Sequence, residues 1–112
     1  MAVKRTEAMV QRAILDYLEM ASKQIAVYFF RAGSGAFKTA QGRYVKTGRP
    51  GVPDIVACLR GRFVGLEVKT ASGRQSKDQK RAEKDIQWAG GEYYIVRSVD
   101  DVRRIVEEQK GE

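Results

Sequence analysis

The chain has 112 residues, 43% of them hydrophobic, enough for one domain over residues 1–112 with a modest core. It has no histidine and one cysteine, which excludes imidazole-based catalytic triads and an internal disulfide and disfavours a structural zinc site. A formal charge of +7 points to an anionic partner, nucleic acid first, against the plainer alternative of a basic surface that only confers solubility.

No run approaches the ~20 apolar residues of a membrane helix, and Met1 to Glu7 lacks an apolar signal core, so a reducing cytoplasm is expected. Glu7 to Ser22 carries apolar residues at Val10, Ile14, Leu18 and Ala21, which predicts an amphipathic helix capped by Thr6. Glu7 shares the stripe of Val10, Gln11, Ile14 and Leu18, so its carboxylate faces the body of the protein. The alternative is a first-turn glutamate left in solvent and favoured by the helix dipole.

Ile25 to Arg31 is an apolar run rich in β-formers and predicts the first strand. Residues 32–52 contain Gly33, Gly35, Gly42, Gly48 and Gly51, which predicts an irregular or hairpin-like excursion. No acidic residue lies between Met20 and Pro53, yet Lys23, Arg31, Lys38, Arg43, Lys46 and Arg49 do. Basic side chains alternating with Phe37 and Tyr44 suit phosphate contact and base stacking, so Arg31, Lys38, Arg43, Tyr44, Lys46 and Arg49 are candidate nucleic-acid contacts. The two aromatics would serve equally well to cover a sheet. Gly33-Ser34-Gly35 has no following Gly-Lys-Ser/Thr, so it is not a phosphate-binding loop.

Ile55 to Leu59 and Phe63 to Val68 read as the strands of a hairpin about Arg60-Gly61-Arg62. A two-residue Arg60-Gly61 turn pairs 59 with 62 and therefore sets Asp54 opposite Glu67. A three-residue loop with a bulge at Gly61 would shift that register. In the first arrangement two carboxylates stand with β-carbons ~5 Å apart and repel, so a cation belongs between them. Strand alternation puts Lys69 on the face of Glu67, while Val68 joins Leu66 and Val64 in the core. Two acids and an ammonium at one point are what a divalent metal and an activated water require. Cys58, inside the first of these strands, is expected to be a small buried hydrophobe.

Ser76 to Ala89 predicts a second helix ended by Gly90-Gly91, Glu92 to Arg97 a strand, and Val99 to Gln109 a last helix capped by Ser98 with Asp101 three residues on. Met9, Trp88, Tyr93 and Tyr94 are core or dimer-interface residues, with core the safer assignment. This order predicts an α/β domain of two or three layers around a mixed sheet.

Pro53-Asp54 followed by Glu67-Val68-Lys69 after twelve intervening residues fits the PD-(D/E)xK pattern of metal-dependent nucleases. With Glu7 and Gln11 on the first helix, Gly48 and Gly51 before the motif, Gln79 after it, then Gly90-Gly91 and Ser98 to Val102, the chain resembles the virus-type replication-repair nuclease (VRR-NUC) family from about Glu7 to Val102. It is similar to the small stand-alone members from phages and bacteria. The resemblance implies a restriction-endonuclease-like mixed β-sheet flanked by helices in the order α-β-β-β-α-β-α. It implies Asp54 and Glu67 as ligands of Mg²⁺ or Mn²⁺, Glu7 as a further acidic ligand and Val68 as a ligand through its backbone carbonyl. Lys69 would sit beside the attacking water. Gln79 would support Lys69 or the substrate phosphate, although Ser76-Lys77-Asp78-Gln79 is also a capping box.

The implied activity is structure-selective endonuclease cleavage of branched DNA such as four-way junctions by a C2 homodimer, in a bacterial or phage-infected cell. Flap or single-strand cleavage, an RNA-directed nuclease, and a binding module that keeps the fold without catalysis are the alternatives.

Overall fold

The computed structural model describes residues 5–33 and 35–109. Its elements, in chain order, are α1 (Glu7–Ala21), β1 (Val27–Arg31), β2 (Gly35–Lys38), β3 (Tyr44–Thr47), β4 (Ile55–Leu59), β5 (Arg62–Val68), α2 (Lys77–Trp88), β6 (Glu92–Val96) and α3 (Val99–Gln109). The sheet runs β1-β4-β5-β6, antiparallel except for β5 and β6, which are parallel because α2 crosses between them. The expected mixed sheet flanked by helices is therefore present. The excursion over residues 32–52 contributes a separate two-stranded hairpin, β2-β3, beyond the expected strand count.

Local chemistry sets the element ends. The Thr6 hydroxyl accepts the Met9 N–H at 3.1 Å and starts α1, whose Val10, Ile14 and Leu18 are buried. Arg60 and Gly61 both have positive φ, 51° and 84°, so they form the two-residue turn whose twist matches its strands. The register follows: Leu59 pairs with Arg62 and Ile55 with Leu66. One step beyond the ladder, Asp54 stands against Glu67.

The sheet has two unequal faces. Ile55, Ala57, Leu59, Val64, Leu66, Val68 and Val96 point to α1 and α3 and close the main core with Val102, Ile105 and Val106. On the other face α2 covers only β5 and β6, with no fully buried residue of its own. Three expectations are corrected, the first two by this asymmetry. Cys58 is exposed, because its side chain alternates onto the uncovered part of that face beside Tyr28 and Phe63. Trp88 is 92% exposed, because it ends α2 on the side away from the sheet, and Met9, next to buried Val10, is 51% exposed. Tyr93 is buried as expected, and Tyr94 packs partly against the core.

Two glycines fix the segment that carries Asp54. A β-carbon on Gly65 would lie 2.6 Å from Pro53 Cγ, so the bare strand lets the buried Pro53 ring cross β5. Gly51, with φ of 77°, rests against the first turn of α2, where a β-carbon would meet the Asp78 carbonyl oxygen at 2.1 Å. Gly51→Ala must move backbone apart from backbone and is expected to cost about 2 kcal/mol or more. Gly61→Ala meets only the backbone strain, since open space surrounds it. Chemical denaturation of both variants should therefore rank Gly51→Ala as the more damaging.

Candidate metal and active site

Asp54 follows Pro53 just before the start of β4, Glu67 and Lys69 come from the end of β5, Glu7 from the first turn of α1 and Gln79 from the first turn of α2. One carboxylate oxygen from each of Glu7, Asp54 and Glu67 lies within 4.8 Å of the other two. Glu7 thus faces the body of the protein, as its helical stripe requires, even though the residue remains exposed. The Asp54 carboxylate is oriented by the Val68 N–H, which donates to its Oδ2 at 2.8 Å.

Glu67 is the buried member, only 1% exposed. Its Oε2 accepts the Gln79 amide at 3.1 Å and lies 3.8 Å from the Lys69 ammonium. No donor among the described residues reaches its Oε1. Burial pushes the Glu67 carboxyl up to about 8. Asp54, near enough to share a proton with it and to repel its charge, adds to the shift; Lys69 opposes it and Glu7 contributes further in the upward direction.

Gln79 caps its helix and also bonds the acidic cluster. Its side-chain oxygen accepts the Ser76 N–H at 2.8 Å while the Ser76 hydroxyl accepts the Gln79 N–H at 3.2 Å, which completes the capping box. The remaining amide NH₂ points to the sheet and bonds Glu67. Capping leaves only the donor end of the amide for the site, and that end meets the Glu67 oxygen that Lys69 also approaches.

The rest of the surroundings hold Lys69 in place. Its N–H donates to the Val96 carbonyl at 3.0 Å, and its stem lies against Gly73, where a β-carbon would be 3.3 Å from Lys69 Cβ and Cδ. Arg97 ties down that turn by donating to the carbonyls of Thr70 and Gly73. Sequence reading passes over Arg97, and only its position at the end of β6 hinted at it. Tyr93 is no base at neutral pH: burial pushes its phenol up to about 12, against the Gln75 amide that donates to its hydroxyl.

The residues expected to meet nucleic acid come from several elements. Arg31 ends β1 next to Asp54, whose carbonyl accepts the Ala32 N–H at 2.8 Å. Lys38, Arg43 and Tyr44 are exposed around the tip of the β2-β3 hairpin, with Tyr44 78% exposed. Lys46 lies on β3, and its side chain is outside the described part of the structure. Arg49 faces α2, alongside Pro50 and opposite Asp78 and Asp85.

Three carboxylate oxygens at this separation, from residues that include the buried Glu67 with its donorless Oε1, fit a hard divalent cation with oxygen ligands at ~2.1 Å. The fold is a mixed sheet whose acidic cluster sits at one sheet end under two helix starts. A solved structure titled "VRR_NUC domain" shares it, with a TM-score of 0.62 over 90% of this chain and 94% of that one, at 21% sequence identity. The chain therefore has the VRR_NUC fold. No protein-family profile and no curated protein matches the sequence.

The raised Glu67 has a consequence with a definite sign. A carboxyl that holds its proton more tightly folded than unfolded makes folding less favourable as pH climbs from about 4.5 through about 8. In EDTA, Glu67→Gln is expected to melt several degrees above the parent at about pH 8.5, and the difference should vanish near pH 4.5. Adding a divalent cation to the parent near pH 7 should release close to one proton, read by calorimetry as a heat that varies with the ionisation enthalpy of the buffer.

Proposed function

We propose that this chain is a VRR-NUC nuclease that hydrolyses DNA phosphodiesters with Mg²⁺ or Mn²⁺, acting at branched DNA such as a four-way junction. The single observation that carries the reading is the meeting of Glu7, Asp54 and Glu67 oxygens within 4.8 Å beside the Lys69 ammonium. Glu7, Asp54 and Glu67 would hold the ion, with the Val68 carbonyl as a further ligand. When bound, the ion neutralises phosphate charge and makes water more acidic.

The chain's own groups do the rest. The Val68 N–H fixes the Asp54 rotamer, and Gln79 fixes Glu67, so both carboxylates are set before substrate arrives. Lys69, clamped by its stem, orients the attacking water and offsets charge growing on the phosphate oxygens. Arg31 beside Asp54, and Lys38, Arg43, Tyr44, Lys46 and Arg49 further out, would contact the DNA. A two-fold pair of such domains would present one centre to each of two strands, which is the arrangement that junction cutting needs.

Labelled four-way, flap and linear duplex substrates with Mn²⁺, Mg²⁺ or EDTA test this directly. Metal-dependent cleavage is expected, with the four-way junction preferred and the protein sedimenting at twice its 12.6 kDa mass. Asp54→Asn and Lys69→Ala should lower the cleavage rate by about a hundredfold or more while leaving DNA binding in place. Failure to cut any of the three substrates would overturn the reading, and equal activity of Lys69→Ala would point to a binding module.

A further inference from the structure

Helix α2 has a solvent face that the acidic site does not use. Lys77, Lys80, Arg81 and Lys84 fall at i, i+3, i+4 and i+7 and are all exposed. With 3.6 residues per turn they share one side of the helix, opposite the half-buried Gln79, Ala82 and Ile86 that face the sheet. None of the four has an acidic partner among the described residues. The acids Asp78 and Asp85 occupy the flank towards Arg49 and Pro50, where Arg81 forms the border between them and the lysines. Trp88, four residues past Lys84, ends the cationic side and is the most exposed large hydrophobic residue described.

This combination selects its partner. A second copy of the chain would bring like charges together, and lysine is depleted where protein surfaces bury one another. A polyanion is complementary to the cations, and an aromatic at the end of the stripe offers a platform to a base. Bases in a duplex already stack on each other, so the free indole suits a base outside a duplex. The first turn of the same helix holds Glu67 through Gln79, about 14 Å along the axis from Trp88.

We propose that the solvent face of α2 binds an unpaired stretch of nucleic-acid strand leading to the acidic site, with phosphates along Lys77, Lys80, Arg81 and Lys84 and a base stacked on Trp88. The proposal deepens the nuclease reading, on which its functional meaning rests, by naming strand that has come unpaired at the branch point as what this face of α2 receives.

Trp88 is the only tryptophan in the chain, so its fluorescence reports this contact alone. The full chain in EDTA, where nothing is cleaved, would be titrated with a twelve-nucleotide oligothymidylate and with a blunt DNA hairpin. Saturable quenching by the oligothymidylate and weaker quenching by the hairpin are expected. By anisotropy of labelled oligothymidylate, Trp88→Ala should weaken binding about tenfold and Trp88→Phe should restore most of it. Joint replacement of Lys77, Lys80 and Lys84 by Gln should reduce the slope of log affinity against log salt by about 2.

Binding without a fluorescence change, an unaltered salt slope, or no binding at all would overturn the proposal. So would an emission shift on dilution without DNA, which would mark Trp88 as a self-association contact. Quenching by a protein that cuts none of the three DNA substrates would leave this face standing and remove the nuclease.

Discussion

Two carboxylates held in contact across a hairpin end are the constraint around which the molecule is organised. Asp54 and Glu67 repel, and one of them is almost fully buried, so their juxtaposition is unfavourable until a cation or a proton intervenes. The fold sets them there through a sequence of local choices. A two-residue turn at Arg60-Gly61 sets the register, the bare backbone of Gly65 admits Pro53, and Gly51 lets the preceding loop seat against α2. A backbone N–H and a side-chain amide then lock the two rotamers. The energy stored in bringing the charges together is recovered when a dication neutralises them, which is how an acidic cluster gains affinity for metal.

The elements on the core side of the sheet were legible because a single periodicity governs them. Val10, Ile14 and Leu18 at helical spacing, and Ile55, Ala57 and Leu59 at strand spacing, all bury against one another. Register was legible up to the choice of turn: a two-residue turn leaves one pairing, which places Asp54 by Glu67, and the positive φ of both Arg60 and Gly61 selects it over the bulged loop. The acidic grouping could thus be read from the chain, including Glu7 on its helical stripe.

The opposite face was not legible by the same logic. Alternation says which side of a strand a residue occupies but nothing about how far a helix extends over that side. Cys58 lies on strand β4 with apolar neighbours on every side in sequence, yet α2 stops short of it. Trp88 misled for a related reason, since hydrophobicity alone assigns tryptophan to an interior that this small domain does not build there. Gln79 shows a third limit. Its capping pattern and its place after the motif were both visible, but a sequence cannot say that one amide has two ends pointing in useful directions.

That amide makes the boundary of a helix and the stiffness of an acidic centre a single degree of freedom. Helix ends open far more often than helix middles, and any fluctuation that unwinds the first turn of α2 withdraws the donor from Glu67 at the same moment. Whatever restrains that turn therefore tightens the centre without touching it, and solvent exchange at the Gln79 amide would track how often the centre is poised to work.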